Sequence, residues 1–118
     1  MYNAAMQQHL AIICTSVDDE NTAKQLAGAL VREKLAACVQ VSARGTSFYR
    51  WQGKPEQADE YYLSIKTTAA GKAAVMNWLE RQHPYELPEI ICLDGEASSA
   101  YEAWVADETE PGRKEAGL

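Results

Sequence analysis

The sequence has few cysteines and no long apolar run. Its three cysteines, Cys14, Cys38 and Cys92, are odd in number and widely spaced, so we expect free thiols and not a disulfide framework. The longest apolar runs, residues 10–14 and 90–93, are far shorter than the ~20 residues of a membrane-spanning helix. The first nine residues lack the basic and apolar regions of a secretion signal, which predicts a cytoplasmic protein.

Positive charge is also scarce in this chain. Lysine and arginine together number 11 against 17 aspartates and glutamates, which gives a formal net charge of −6. Nucleic-acid and anionic-membrane partners both require clustered cations, so neither partner is expected. The remaining composition, with 47% hydrophobic and 24% charged residues in a chain of 118, is that of one globular domain with its own core.

Hydrophobic periodicity predicts the element order β-α-β-β-α-β, followed by a short C-terminal helix. The first helix follows the first strand, with Asp18 as its expected N-cap, and ends near residue 35. Pro55 is expected to end the strand pairing at a turn over residues 52–55, and the His83-Pro84 pair to end the second helix. The predicted strands cover residues 9–15, 38–51 with a bend at 43–45, 60–66 and 89–93, and the later helices cover 69–82 and 98–105.

This order is typical of an α+β, ferredoxin-like fold, in which two helices lie on one face of a four-stranded antiparallel sheet. We expect one such domain over residues 8–107, with flexible termini at 1–7 and 108–118.

The first and last strands are apolar on both faces. Ile12 and Cys14 point to one side of the first strand, Ala11 and Ile13 point to the other, and residues 90–93 repeat the pattern. Two helices cover only one face of a sheet, so the second apolar face requires another cover. We expect a homo-oligomer whose sheets pack against each other. The alternative is that the third helix folds over part of the open face.

Five short motifs follow one another along the chain: LAACV at 35–39, TSFYRWQGK at 46–54, IKTT at 65–68, HPYELPEI at 83–90 and YEAWV at 101–105. Together they resemble the CutA family of small divalent-cation-tolerance proteins, and with the first strand they span residues 10–106. The resemblance implies a single CutA domain and a PII-like homotrimer in the cytoplasm. It also implies a non-enzymatic role in cation tolerance, with signalling as a further role and copper, zinc or another divalent cation as the bound metal.

The resemblance further implies two metal ligands, Cys14 at the end of the first strand and His83 next to proline. A second histidine that can occur in the family is replaced here by Gln82. A thiolate and an imidazole suit copper or zinc, and a site with two protein ligands needs carboxylate, water or a neighbouring subunit to complete it. The alternatives are that Cys14 is a small buried apolar residue and that His83 caps the helix C-terminus.

Two other functions share this element order. An acylphosphatase-like hydrolase needs a glycine-rich anion cradle with an arginine, whereas the loop over residues 15–19 is acidic and contains neither. An RNA-binding sheet of the RRM type needs exposed aromatic residues on a basic face, which the negative net charge disfavours.

Overall fold

The computed structural model describes residues 8–110, which form an α+β fold of one antiparallel sheet and three helices. No helix in this range is both long and apolar enough to cross a membrane. The elements in chain order are β1 (Gln8–Val17), α1 (Glu20–Arg32), β2 (Cys38–Val41), β3 (Gly45–Trp51), β4 (Lys54–Thr68), α2 (Lys72–Gln82), β5 (Ile91–Ala97) and α3 (Ser99–Thr109).

The sheet has the order β2-β4-β1-β5, and β3 pairs with the outer half of β4. All of these pairings are antiparallel. The predicted second strand is therefore divided at the bend. Its first part, β2, pairs with the inner half of β4, and its second part, β3, forms a hairpin with residues 54–60. The ferredoxin-like prediction is confirmed, with this long hairpin added to it.

The core lies between the sheet and helices α1 and α2. Ile13 and Val17 on β1 pack with Ile65 on β4, and all three are fully buried. Leu30 of α1 and Leu79 of α2 complete the same cluster from the helix layer. Full burial of one such side chain contributes about 1.5–3 kcal/mol, so this layer determines which face of β1 points inward. We call this face of the sheet the helix face and the opposite one the open face.

Helix α3 lies across part of the open face, as the alternative in the sequence reading proposed. Val105 of α3 is fully buried. Tyr101 contacts Cys38, and Cys38 lies on the open face because its neighbour Val39 on β2 packs against the core on the helix face. Burial raises the pKa of the Tyr101 hydroxyl. Tyr101 and Trp104 both stay more than a third exposed. The uncovered part of the open face contains Ile91 and Leu93, each about half exposed.

Two predicted features of α1 need correction. Its N-cap is Asp19 and not Asp18, since Asp19 has extended backbone angles and its carboxylate accepts a hydrogen bond from Thr22 N at 2.9 Å. The helix ends at Arg32, three residues before the predicted end. Lys34 has a φ of 60°, and Leu35 N donates to Leu30 O, so the chain turns out of the helix in a Schellman motif.

The hairpin tip differs from the prediction. Gln52 and Gly53 both have positive φ, 51° and 81°, which produces a tight two-residue turn. Pro55 does not end the pairing, because it lies opposite Arg50 within the hairpin. Within residues 8–110, no strand pairs with the other side of residues 54–59 of β4, and a proline is tolerated on such an edge.

Three further boundaries differ. Helix α2 begins at Lys72 because residues 69–71 form a turn, and β5 covers residues 91–97 because it pairs with β1 along that whole length. Residues 108 and 109, predicted as tail, form the end of α3, where Thr109 Oγ1 donates to Val105 O at 2.9 Å. The predicted flexible segments at 1–7 and 111–118 lie outside the described residues.

Candidate functional site

His83 is held at the end of α2 by both nitrogens of its ring. Its backbone N–H closes the helix on Leu79 O, and Pro84 follows. The side chain is 8% exposed. Nε2 lies 2.9 Å from Ser16 O, and Nδ1 accepts from Tyr85 N at 3.1 Å. A carbonyl partner on one nitrogen and an N–H partner on the other require the tautomer that carries its proton on Nε2.

Burial favours the neutral form of this imidazole. It lowers the pKa of His83 below the ordinary value of 6.5, although the hydrogen bond to Ser16 and the charges of Glu60 and Asp18 act in the opposite direction. His83 therefore closes the helix through its backbone and not as the cationic cap considered from the sequence. A neutral imidazole is also the form that binds metal ions.

Cys14 lies on the open face of β1, opposite the core residue Ile13. Its side chain is half-buried, and its neighbours in register are Ser64 on β4 and Ile91 on β5. Ser16 is two residues further along the same face, a step of roughly 7 Å at the usual rise of a strand. Of the predicted pair, His83 contacts Ser16 O through Nε2, and Cys14 lies two residues before Ser16 on the same strand.

The donor set within one chain is incomplete for a metal ion. Among residues 8–110 no three side chains of histidine, cysteine, aspartate or glutamate converge on a common point that could hold one. Both nitrogens of His83 also have protein partners already. A metal bound by Cys14 and His83 would need one ring nitrogen to be released and further ligands to come from outside this chain.

A cleft of about 800 Å³ opens next to Ser16. One wall is the hairpin of β3 and β4, and the other is the segment 85–89 that follows α2. The side chains that line it are Ser16, Asp18, Ser47, Phe48, Tyr49, Arg50, Trp51, Ala58, Glu60, Tyr85, Glu86, Leu87, Pro88 and Glu89.

A hydrogen bond between Tyr85 and Glu60 joins the two walls. Tyr85 Oη donates to Glu60 Oε2 at 2.7 Å, and Glu60 is only 7% exposed. Burial, followed by the hydrogen bond and the charge of Glu60, raises the pKa of Tyr85 far above its ordinary value of 10.0. The phenol therefore remains a donor throughout the physiological pH range. The Tyr85 ring also contacts the His83 ring edge-on, with centroids 4.8 Å apart, so the cleft and the His83 site are continuous.

The cleft is acidic and aromatic. Four carboxylates line it, from Asp18, Glu60, Glu86 and Glu89, together with four aromatic rings, from Phe48, Tyr49, Trp51 and Tyr85. Among the described residues that line the cleft, Arg50 is the one basic side chain, and it donates from Nη2 to Gly53 O at 3.0 Å. Strand alternation could have revealed part of this site, since Tyr49 and Trp51 share a face of β3, but Tyr85 lies in a loop without periodicity.

The part of the chain that matches known proteins includes both the sheet and the residues that line the cleft. The family model described as "CutA1 divalent ion tolerance protein" matches residues 11–108. The curated Divalent-cation tolerance protein CutA of Citrobacter koseri is 38% identical over 89 residues, 75% of this chain and 76% of that protein. The structure of CutA from Synechococcus elongatus PCC7942 is 39% identical with a TM-score of 0.82, over 87% of this chain and 92% of that one. A structure described as the periplasmic divalent cation tolerance protein CutA from Archaeoglobus fulgidus is 28% identical with a TM-score of 0.81, over 86% and 99%.

Proposed function

This chain belongs to the CutA1 family of divalent ion tolerance proteins, and on that basis we propose that it is a non-enzymatic homotrimer that binds divalent metal ions. Copper is the proposed metal, with zinc as the alternative, because a thiolate and an imidazole are the donors available. The observation that supports the proposal is the hydrogen bond from His83 Nε2 to Ser16 O, two residues from Cys14 on β1. A signalling role of the PII type is proposed from the family resemblance alone.

Nδ1 is the nitrogen of His83 that we assign to the metal. Histidines that bind metals usually donate their other ring N–H to a carbonyl or carboxylate, which fixes the ring and its tautomer. The Nε2 contact with Ser16 O already supplies this arrangement. Binding would then cost only the bond from Tyr85 N, which at 3.1 Å is the longer of the two.

Isothermal titration tests the ligand pair. Copper(II), and copper(I) under reductant, would be titrated into the wild type, Cys14→Ser and His83→Ala, each of which should lose about tenfold or more in affinity. Two controls come from the chain itself. Cys92→Ser changes a thiol that packs against the helix-face core, and His9→Ala changes a histidine at 3.6 Å from Asp94. Affinity that is unchanged in Cys14→Ser and His83→Ala would remove these residues from the site.

Self-association through the open face is the second part of the proposal. Ile91 and Leu93 are each about half exposed beside Cys14, and packing against another copy would bury them and bring in further ligands. Light scattering coupled to gel filtration should give three times the chain mass of 13.0 kDa. Leu93→Glu should dissociate the assembly, whereas Val31→Glu, on the exposed side of α1, should not. A monomeric wild type at micromolar concentration would contradict this part.

A cytoplasmic location is proposed because all three cysteines are free thiols, which a reducing compartment preserves. The Archaeoglobus fulgidus relative is described as periplasmic. Cell fractionation therefore decides the location, and recovery in the periplasmic fraction would contradict the proposal.

The absence of catalysis is testable as well. The hydrolase alternative requires an anion cradle, and the carboxylates that line the cleft would repel an acyl phosphate. A screen with acyl phosphates should give no turnover above the buffer rate, and turnover that is lost in Arg50→Ala would favour the hydrolase.

A further inference from the structure

We propose that the cleft between the hairpin and the segment 85–89 binds a small organic cation, a substituted ammonium with an apolar body. This site differs from the metal ligand pair and does not depend on it. Its volume of about 800 Å³ lies within the range of small-molecule sites, roughly 300–1,000 Å³.

The charge of the lining selects the sign of the ligand. The lining residues that the structure describes include four carboxylates and one guanidinium, and that guanidinium already donates to the hairpin tip. Glu60 is the most buried of the four, and none of the described lysine or arginine side chains forms an ion pair with it. A buried carboxylate is costly without a positive partner. A cation in the cleft would supply this partner, whereas an anion would increase the repulsion.

The aromatic rings select an organic ligand. Tyr49 and Trp51 occupy alternate positions on β3, in register with residues of β4 that share the face of Glu60. Tyr85 approaches from the opposite wall, with its hydroxyl fixed on the same carboxylate. A substituted ammonium between such rings gains cation–π attraction and buries its alkyl groups, neither of which a hydrated metal ion can do.

The carboxylates of the cleft do not form a metal cage within one chain. Among residues 8–110 no three potential ligands converge on a point that could hold a metal ion. A ligand several atoms wide can be near Glu60 at the base and Glu89 at the exposed lip without such convergence.

Choline and its neutral isostere, 3,3-dimethylbutan-1-ol, test the proposal on the intact protein. The chain has three tryptophans, whose indole N–H signals report three regions by NMR: Trp51 in the cleft, Trp78 in the core and Trp104 on α3. Trp51→Phe assigns the cleft signal. Choline should shift the Trp51 signal alone, with an affinity about tenfold or more above that of the isostere, because only choline carries the charge.

Matched variants locate the site. Glu60→Gln keeps an acceptor for Tyr85 but removes the charge, and it should abolish the preference for choline, as should Glu89→Gln in part. Glu33→Gln, the same change at the end of α1, should leave choline affinity within about twofold. Cys14→Ser should also leave it unchanged, which separates this proposal from the metal site. Equal binding of both probes, no shift of Trp51, or full affinity in both Glu60→Gln and Glu89→Gln would overturn the inference.

Discussion

Removal of the Tyr85 hydroxyl should measure how strongly the two walls of the cleft are joined. Tyr85→Phe keeps the ring against His83 but removes the donor that lies 2.7 Å from Glu60 Oε2. A hydrogen bond to a charged acceptor contributes about 1.5–3 kcal/mol, and here the acceptor is almost completely buried. Tyr85 itself is half-buried, so we expect the free energy of unfolding to fall by about 2 kcal/mol.

Guanidinium unfolding at one fixed protein concentration provides the measurement, because self-association makes apparent stability depend on concentration. With a slope of about 4 kcal/mol per molar, the midpoint should fall by about 0.5 M. Tyr49→Phe is the matched control. It lies in the same cleft, is 45% exposed, and should change the free energy of unfolding by less than about 0.5 kcal/mol.

A double-mutant cycle with Glu60→Ala, which removes the acceptor, isolates the pair. Coupling of at least about 1 kcal/mol is expected, since the two side chains form one contact. A Tyr85→Phe cost no larger than that of Tyr49→Phe, or a coupling energy near zero, would refute the view that this bond joins the walls.

Three further outcomes are expected. Burial lowers the pKa of His83 in the folded protein, so the unfolded chain binds a proton at a higher pH than the folded one. The free energy of unfolding should therefore fall as the pH drops below about 6.5. In denaturant titrations at several pH values, His83→Gln should flatten this slope and His9→Gln should preserve it. By thermal unfolding, Asp19→Ala should cost about 1 kcal/mol and Asp18→Ala clearly less, since only Asp19 accepts from Thr22 N. Gly53→Ala should cost about 1 kcal/mol in the same assay, because its φ is 81°.

The element order could be predicted because its signals are local. Leu26 and Leu30 recur at helical spacing on α1, and Leu63 and Ile65 alternate on β4, so burial of each face follows from the pattern. The outer half of β4 could not be predicted in this way. Residues 54–59 are mostly polar and exposed, and their strand conformation comes from pairing with β3 instead of from burial.

The site shows the same division between local and tertiary information. The family resemblance indicated Cys14 and His83, and the structure adds a hydrogen bond from His83 Nε2 to Ser16 O, two residues from Cys14 on β1. The two hydrogen bonds of the His83 ring could not be predicted, because their partners lie at a strand end and in a loop. The contact between Tyr85 and Glu60 joins residues 25 positions apart through a segment without periodicity, so no pattern in the chain indicates it.

The two-residue turn at Gln52 and Gly53 fixes the register of β3 against β4, and the register determines which side chains of β3 face the cleft. Side chains alternate along a strand, so a single residue inserted at this tip would shift β3 by one step and exchange the faces of Tyr49 and Trp51. Their rings would then point away from Glu60, although no residue of the cleft had been replaced. Insertions and deletions of even length at this tip should therefore be inherited more readily than odd ones, and aligned hairpin lengths among relatives would record this parity.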